Sequence, residues 1–244
     1  MAGSPWRLPD APLRASVIRT SALILIATIG LTPVVASWTM SGTDYIRKSL
    51  GAFVAATLLI LGRIGAHHPF PHFGSANSVT LIRVALVAGV AGLIGVPASD
   101  RIGSLAVAIV IVVVALDGVD GWLARRSGQM SAFGARFDME TDAALILILS
   151  LLVWQHGKAG AWVFGCGVMR YAFVACGWVL PWMAAPLRST IRGKSVAVGQ
   201  LLGLSIALSP AVPVRFSAPI AALTLATLAW SFAVDIAWLK KQAG

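Results

Sequence analysis

Apolar residues run through this chain in long blocks rather than in alternation or once per helical turn. The blocks lie at about 21–38, 49–65, 79–97, 102–123, 141–155, 159–183, 196–209 and 216–238. A helix needs roughly 20 mostly apolar residues to cross the hydrocarbon core of a bilayer, and most of the blocks come close to that length. Short connections rich in Pro, Gly and charge separate them. The pattern predicts eight helices and an all-α, polytopic membrane bundle. The second block is the weakest, because its purely apolar part from Leu50 to Gly62 is short enough to lie at the interface instead. Arg7, Arg14 and Arg19 resemble the basic start of a signal peptide, but the apolar run that follows is long and holds Pro33, so a retained anchor is expected.

Composition agrees with the pattern. Of 244 residues, 58% are hydrophobic and 11% charged, where a soluble domain carries about 25% charged residues. No room is left for a sizeable soluble domain, so any active site has to be built from helix ends and short loops. The 19 Lys+Arg against 9 Asp+Glu give +10. These basic residues are scattered between apolar blocks, which fits membrane lipids as partners and topology setting rather than nucleic acid. With eight spans and a cytoplasmic N-terminus, thirteen of the 19 fall on the cytoplasmic side, five on the other, and Arg170 inside a span. The connections at 124–140 and 184–195 are therefore expected in the cytoplasm, in a cell or inner membrane. Cys166 and Cys176 share one apolar block and have neither disulfide nor metal-site spacing. His67, His68 and His72 sit in a Pro-broken loop and read as loop residues rather than metal ligands.

The acids are clustered, and that clustering carries the chemistry. Five of the nine, Asp117, Asp120, Asp138, Glu140 and Asp142, lie close together, and acids are sparse elsewhere. Asp117 and Asp120 stand at i and i+3, Asp138 and Asp142 at i and i+4, so each pair shares a helix face. Two adjacent antiparallel helices would point four carboxylates into one volume near the membrane boundary. Four ionised carboxylates there repel one another and are costly to desolvate without a compensating cation. Oxygen ligands without His or Cys select Mg2+, Mn2+ or Ca2+ over zinc. The plainer alternative pairs the acids with Arg125, Arg126 and Arg136 at a wet helix end. Gly121, Ala124 and Gly134, interleaved with the acids, allow a backbone or a flat ligand to come close.

The run Asp117-x2-Asp120-Gly121-x2-Ala124-Arg125-x8-Gly134-x3-Asp138-x3-Asp142 resembles the signature of the CDP-alcohol phosphatidyltransferase family, and all eight positions match in identity and spacing. The likeness covers roughly residues 75–240. It implies a six-helix catalytic core at 75–244, preceded by a 1–74 segment with one or two added membrane helices. It further implies that Asp117, Asp120, Asp138 and Asp142 hold one or two divalent ions, Mg2+ or Mn2+, against the donor pyrophosphate, with Asp142 also the general base. Gly121, Ala124 and Arg125 would lie along the CDP group and Ser131 would touch the donor. Asn77 and Thr80, in Asn77-x2-Thr80-x2-Arg83, resemble the family's entry to its first core helix, where a helix cap followed by an interfacial arginine is the competing reading. The family also suggests a homodimer.

Arg188, Arg192 and Lys194 open the seventh block and have the charge to hold the phosphate of an acceptor such as glycerol 3-phosphate or inositol phosphate. Positive-inside anchoring explains them equally well. Gly193-Lys194 with Gln200 resembles the glycerophosphate-using branch of the family. Arg170 is expected to face the bundle interior, toward substrate phosphate or Asp235. The expected function is transfer of a phosphatidyl group from CDP-diacylglycerol to a small polar alcohol, with release of CMP. Within the family the alternative is a soluble CDP-alcohol with diacylglycerol as acceptor. From a different class, a cation transporter also places acids in membrane helices, though not a complete signature at one boundary.

Overall fold

A computed structural model describes residues 8–185 and 190–243 of the chain. It contains α1 (Ala11–Thr39), α2 (Gly42–His67), α3 (Ser75–Gly92), α4 (Asp100–Ser127), α5 (Ala132–Gln155), α6 (Phe164–Val179), α7 (Ile191–Leu208) and α8 (Val214–Ala243). Two 3-10 turns, Ala161–Val163 and Pro181–Ala184, flank α6. No strand occurs among the described residues. The protein is an all-α polytopic bundle, and each apolar block of the sequence corresponds to one helix. Helices α1, α2, α3, α4 and α8, and the segment Ala161–Val179, are long and apolar enough to cross a membrane. Helix α5 opens with Asp138, Glu140 and Asp142 and α7 with Arg192 and Lys194, so their apolar parts are shorter.

Two ends differ from the apolar pattern. The third block runs to 97, but α3 stops at Gly92, because Gly95 takes a left-handed backbone (φ 79°) that turns the chain ahead of Pro97. The sixth block, 159–183, holds a shorter helix because Gly160 and Pro181 set 3-10 turns at its two ends.

The described chain forms two compact units. The first runs to Pro97 and adds Ile111–Thr141. Its core joins Leu13 and Val17 of α1, Phe53, Ile60 and Ile64 of α2, Leu81, Val84 and Ala88 of α3, and Phe133 and Phe137 of α5, with Phe73 from the loop before α3. Helices α1 and α2 both pack on α3. The α2–α3 approach is close enough to require glycine: a Cβ on Gly92 would overlap Ser49 Oγ and stand 2.9 Å from the Tyr45 ring. Lys48 Nζ donates to the Ile94 carbonyl at 2.8 Å, capping the end of α3. As a result, half of the most apolar window of α3 is buried within the protein, against 17–28% for the other candidate spans.

The second unit comprises Ala98–Val110 and the chain from Asp142 onward. Small residues again set the spacing. A Cβ on Gly203 of α7 would overlap the Thr224 methyl of α8, and one on Gly167 of α6 would stand 2.6 Å from Leu147 Cα of α5. Buried Gln200 donates through Nε2 to the Thr224 carbonyl, a bond between α7 and α8 of the kind that joins helices where water is absent. Lys158, after α5, donates to the Ser209 and Val212 carbonyls at 3.1 and 2.7 Å and so fastens the α7–α8 connection.

Candidate metal and substrate site

Helix α4 continues well past its apolar run, to Ser127, and this extension carries Asp117 and Asp120 on one face. Helix α5 begins at Ala132 and presents Asp138 after fewer than two turns. One carboxylate oxygen from each of Asp117, Asp120 and Asp138 lies within 4.8 Å of the other two. Asp120 is buried, whereas the Asp117 and Asp138 side chains are 36% and 39% exposed, so the cluster can be reached from outside.

The cation facing these acids comes from α3. Arg83 Nη1 lies 2.9 Å from Asp117 Oδ1 and 2.7 Å from Asp120 Oδ2, and contacts Asp138 Oδ1 as well. Its side chain is completely buried. Thr80, one turn earlier on α3, donates through Oγ1 to Asp120 Oδ2 at 3.0 Å. Three carboxylates and one guanidinium leave a formal charge of −2. Arg83 has a place in the site that the sequence did not assign to it: it stands in the Asn77-x2-Thr80-x2-Arg83 pattern, but only Asn77 and Thr80 were expected at the donor. The available signal was its place three residues after Thr80, which sets Asn77, Thr80 and Arg83 along one side of α3. Two arginines of the alternative reading have other neighbours. Arg125 folds back along α4, where a Cβ on Gly121 would stand 3.3 Å from its Nη1, and Arg126 lies over the Trp122 ring at 4.9 Å.

Ser131 and Asn77, also assigned to the donor, meet Gly134 at the start of α5. Ser131 Oγ accepts from Gly134 N at 2.9 Å, the bond of an N-cap, and lies 3.3 Å from His68 Nδ1. His68 Nε2 lies 2.9 Å from the His72 carbonyl, which accounts for that ring as a loop fastener. Asn77 is buried and its amide donates to the Phe73 carbonyl at 2.6 Å. A Cβ on Gly134 would stand 3.0 Å from Asn77 Oδ1 and 3.3 Å from Ser131 Oγ, so glycine lets the start of α5 close on α3. Ala124 is half-buried on the Arg125 turn of α4.

Asp142 follows Asp138 by four residues on α5, is half-buried, and belongs to the second unit. Of the expected acceptor residues, Arg188 lies outside the described residues. Arg192 is committed within the second unit. It forms an ion pair with Asp235 through Nη2, donates to the Ser231 carbonyl through Nη1 at 3.1 Å, and lies 5.7 Å from the Trp230 ring centre. Asp235 thus pairs with Arg192. Lys194, two residues on, is exposed. Thr190 caps this end of α7 by accepting from Gly193 N at 3.1 Å.

The donor set suits a hard divalent ion. It consists of carboxylate oxygens only, its members come within a few ångströms of one another, and its net negative charge persists after Arg83 is counted. A family model described as CDP-alcohol phosphatidyltransferase matches residues 73–234, from the loop before α3 into α8. No solved structure matches the chain.

Proposed function

The chain belongs to the CDP-alcohol phosphatidyltransferase family, transferases that use CDP-linked donors, and on that premise we propose that it moves a phosphatidyl group from CDP-diacylglycerol to a small polar alcohol bearing its own phosphate, releasing CMP. The observation that carries this reading is the convergence of Asp117, Asp120 and Asp138 inside the matched region. A divalent ion, Mg2+ or Mn2+, held by these carboxylates would neutralise the charge that develops on the donor phosphates. The core at 75–244 is the catalytic part, with α1 and α2 added to it.

The remaining steps fall to the chain's own side chains. Asp142 takes the proton of the acceptor hydroxyl as its oxygen attacks the β-phosphorus of the donor; that P–O bond forms while the bond to CMP breaks. A carboxylate is a weak base, so the hydroxyl has to be held in register with it. Gly121 and Ala124 leave room for the flat nucleotide beside α4, Arg125 and Ser131 flank it, and Asn77 and Thr80 hold the α3 side of the site. On the acceptor side, Lys194 and Arg188 bind the phosphate, and Arg192 fixes the end of α7 through Asp235. The basic-residue asymmetry supports a cytoplasmic site. Cysteine labelling in sealed vesicles checks it: positions 126 and 192 should react from one side and position 158 from the other.

The test is purified full-length protein given CDP-diacylglycerol and a panel of alcohols and alcohol phosphates, with CMP and lipid products identified by mass. Metal-dependent CMP release with a phosphorylated alcohol is expected. Product formed only from a soluble CDP-alcohol and diacylglycerol would reverse the donor assignment, and CMP release undiminished by chelator would remove the metal.

A further inference from the structure

Arg83 places a single nitrogen where three acids converge. Nη1 meets oxygens of Asp117, Asp120 and Asp138, and it carries only two hydrogens. It cannot donate along a normal direction to three acceptors at once, so charge holds it there much as charge would hold a monatomic cation. One of those oxygens, Asp120 Oδ2, also accepts from Thr80. A hard divalent ion bound by carboxylates takes its oxygens at about 2.1–2.6 Å. It would draw on the same three carboxylates, which offer oxygens within 4.8 Å of one another, and a cationic nitrogen amid those carboxylates repels it.

We infer that Arg83 is a resident counter-cation that yields the centre of the carboxylate cluster to the divalent ion, and that it thereby sets how tightly the ion binds. It is a positioning residue, acting on substrate chemistry only through the three aspartates. Two consequences of opposite sign follow. Without metal, Arg83 screens three carboxylates from one another and stabilises the α3–α4–α5 contact within the first unit. With metal, it competes for the oxygens and repels the ion. A residue that merely preorganised the ligands would behave differently, since removing it would weaken metal binding.

The inference rests on the metal reading of the site, and the experiment separates the two. Mn2+ binding to the full-length protein in detergent is measured by electron paramagnetic resonance, beside thermal unfolding in chelator and in saturating Mn2+, for wild type, Arg83→Gln and Arg83→Lys. Arg83→Gln is expected to bind Mn2+ at least about tenfold more tightly than wild type. In chelator it should unfold on the order of 5–10 °C lower, a deficit that Mn2+ largely removes. Arg83→Lys keeps the charge but loses the planar fork, so it should stay folded in chelator and bind Mn2+ with intermediate affinity. Equal or weaker Mn2+ binding by Arg83→Gln overturns the inference. If that variant cannot be obtained folded even in Mn2+, equal or weaker binding by Arg83→Lys does so. Absence of Mn2+ binding to wild type overturns the metal site itself.

Discussion

Arg83 in the first unit and Arg192 in the second both meet aspartate, but in different ratios. Arg192 meets Asp235, and the two side chains are 21% and 23% exposed. Such a pair is neutral, and its second bond, to the Ser231 carbonyl, shows what it does: it ties the start of α7 to the end of α8. Arg83 is fully buried and meets three carboxylates. That cluster keeps a net negative charge, and two of its three acids, Asp117 and Asp138, stay open to the outside. The ratio of acid to base thus separates a neutral clasp from the cluster proposed to hold metal, although each is, seen singly, an arginine on an aspartate.

The comparison breaks most easily at the acids. Asp117→Asn, Asp120→Asn or Asp138→Asn should each remove detectable CMP release from a folded, inserted protein. The loss should exceed the about 10–100-fold that changing a metal ligand's outer partner costs. Asp235→Asn should keep activity within about tenfold of wild type, because only the clasp is loosened. Full activity in any of the first three would put the cluster in the same class as the clasp.

A second, somewhat smaller effect belongs to Asp142. Asp142→Asn should lower kcat by about 10²–10⁴-fold, the usual worth of a general base, with the acceptor KM little changed. Single-turnover kinetics with both substrates saturating measure this. A change confined to KM would make Asp142 a binding residue.

The smallest expected effects lie at the start of α7. Lys194→Ala should raise the acceptor KM by roughly 10- to 150-fold and spare the donor, as the loss of a charge-assisted hydrogen bond worth about 1.5–3 kcal/mol predicts. Arg192→Ala should act mainly on stability, lowering the unfolding temperature by a few degrees, because Asp235 loses its partner while remaining partly in contact with water. If Arg192→Ala moves the acceptor KM as far as Lys194→Ala and leaves unfolding unchanged, Arg192 holds substrate rather than the clasp.

Much of this arrangement was legible in the sequence. Every apolar block is a helix, because a chain this poor in charge has few other ways to satisfy its backbone in lipid. The spacing Asp117-x2-Asp120 placed two acids on one face because α4 does continue beyond its apolar part. What could not be read were the partners across helices. Arg83 and Asp138 are 55 residues apart, and Arg192 and Asp235 are 43 apart. Their meeting depends on how α3 packs beside α4 and α5, and α7 beside α8, which no local spacing encodes. The end of α3 was likewise hidden, since Ile94 and Val96 are as apolar as the helix before them and only the backbone at Gly95 turns the chain.

The close packing of α1 and α2 against α3 also bears on lipid traffic. A lipid-linked donor of the kind proposed would have to slide sideways out of the bilayer with its tails still in hydrocarbon. On the side of α3 that Gly92 presses against Ser49 and Tyr45, protein takes the place of lipid. The α1–α2 hairpin therefore denies acyl chains that face of α3, which is half buried within the protein along its most apolar stretch.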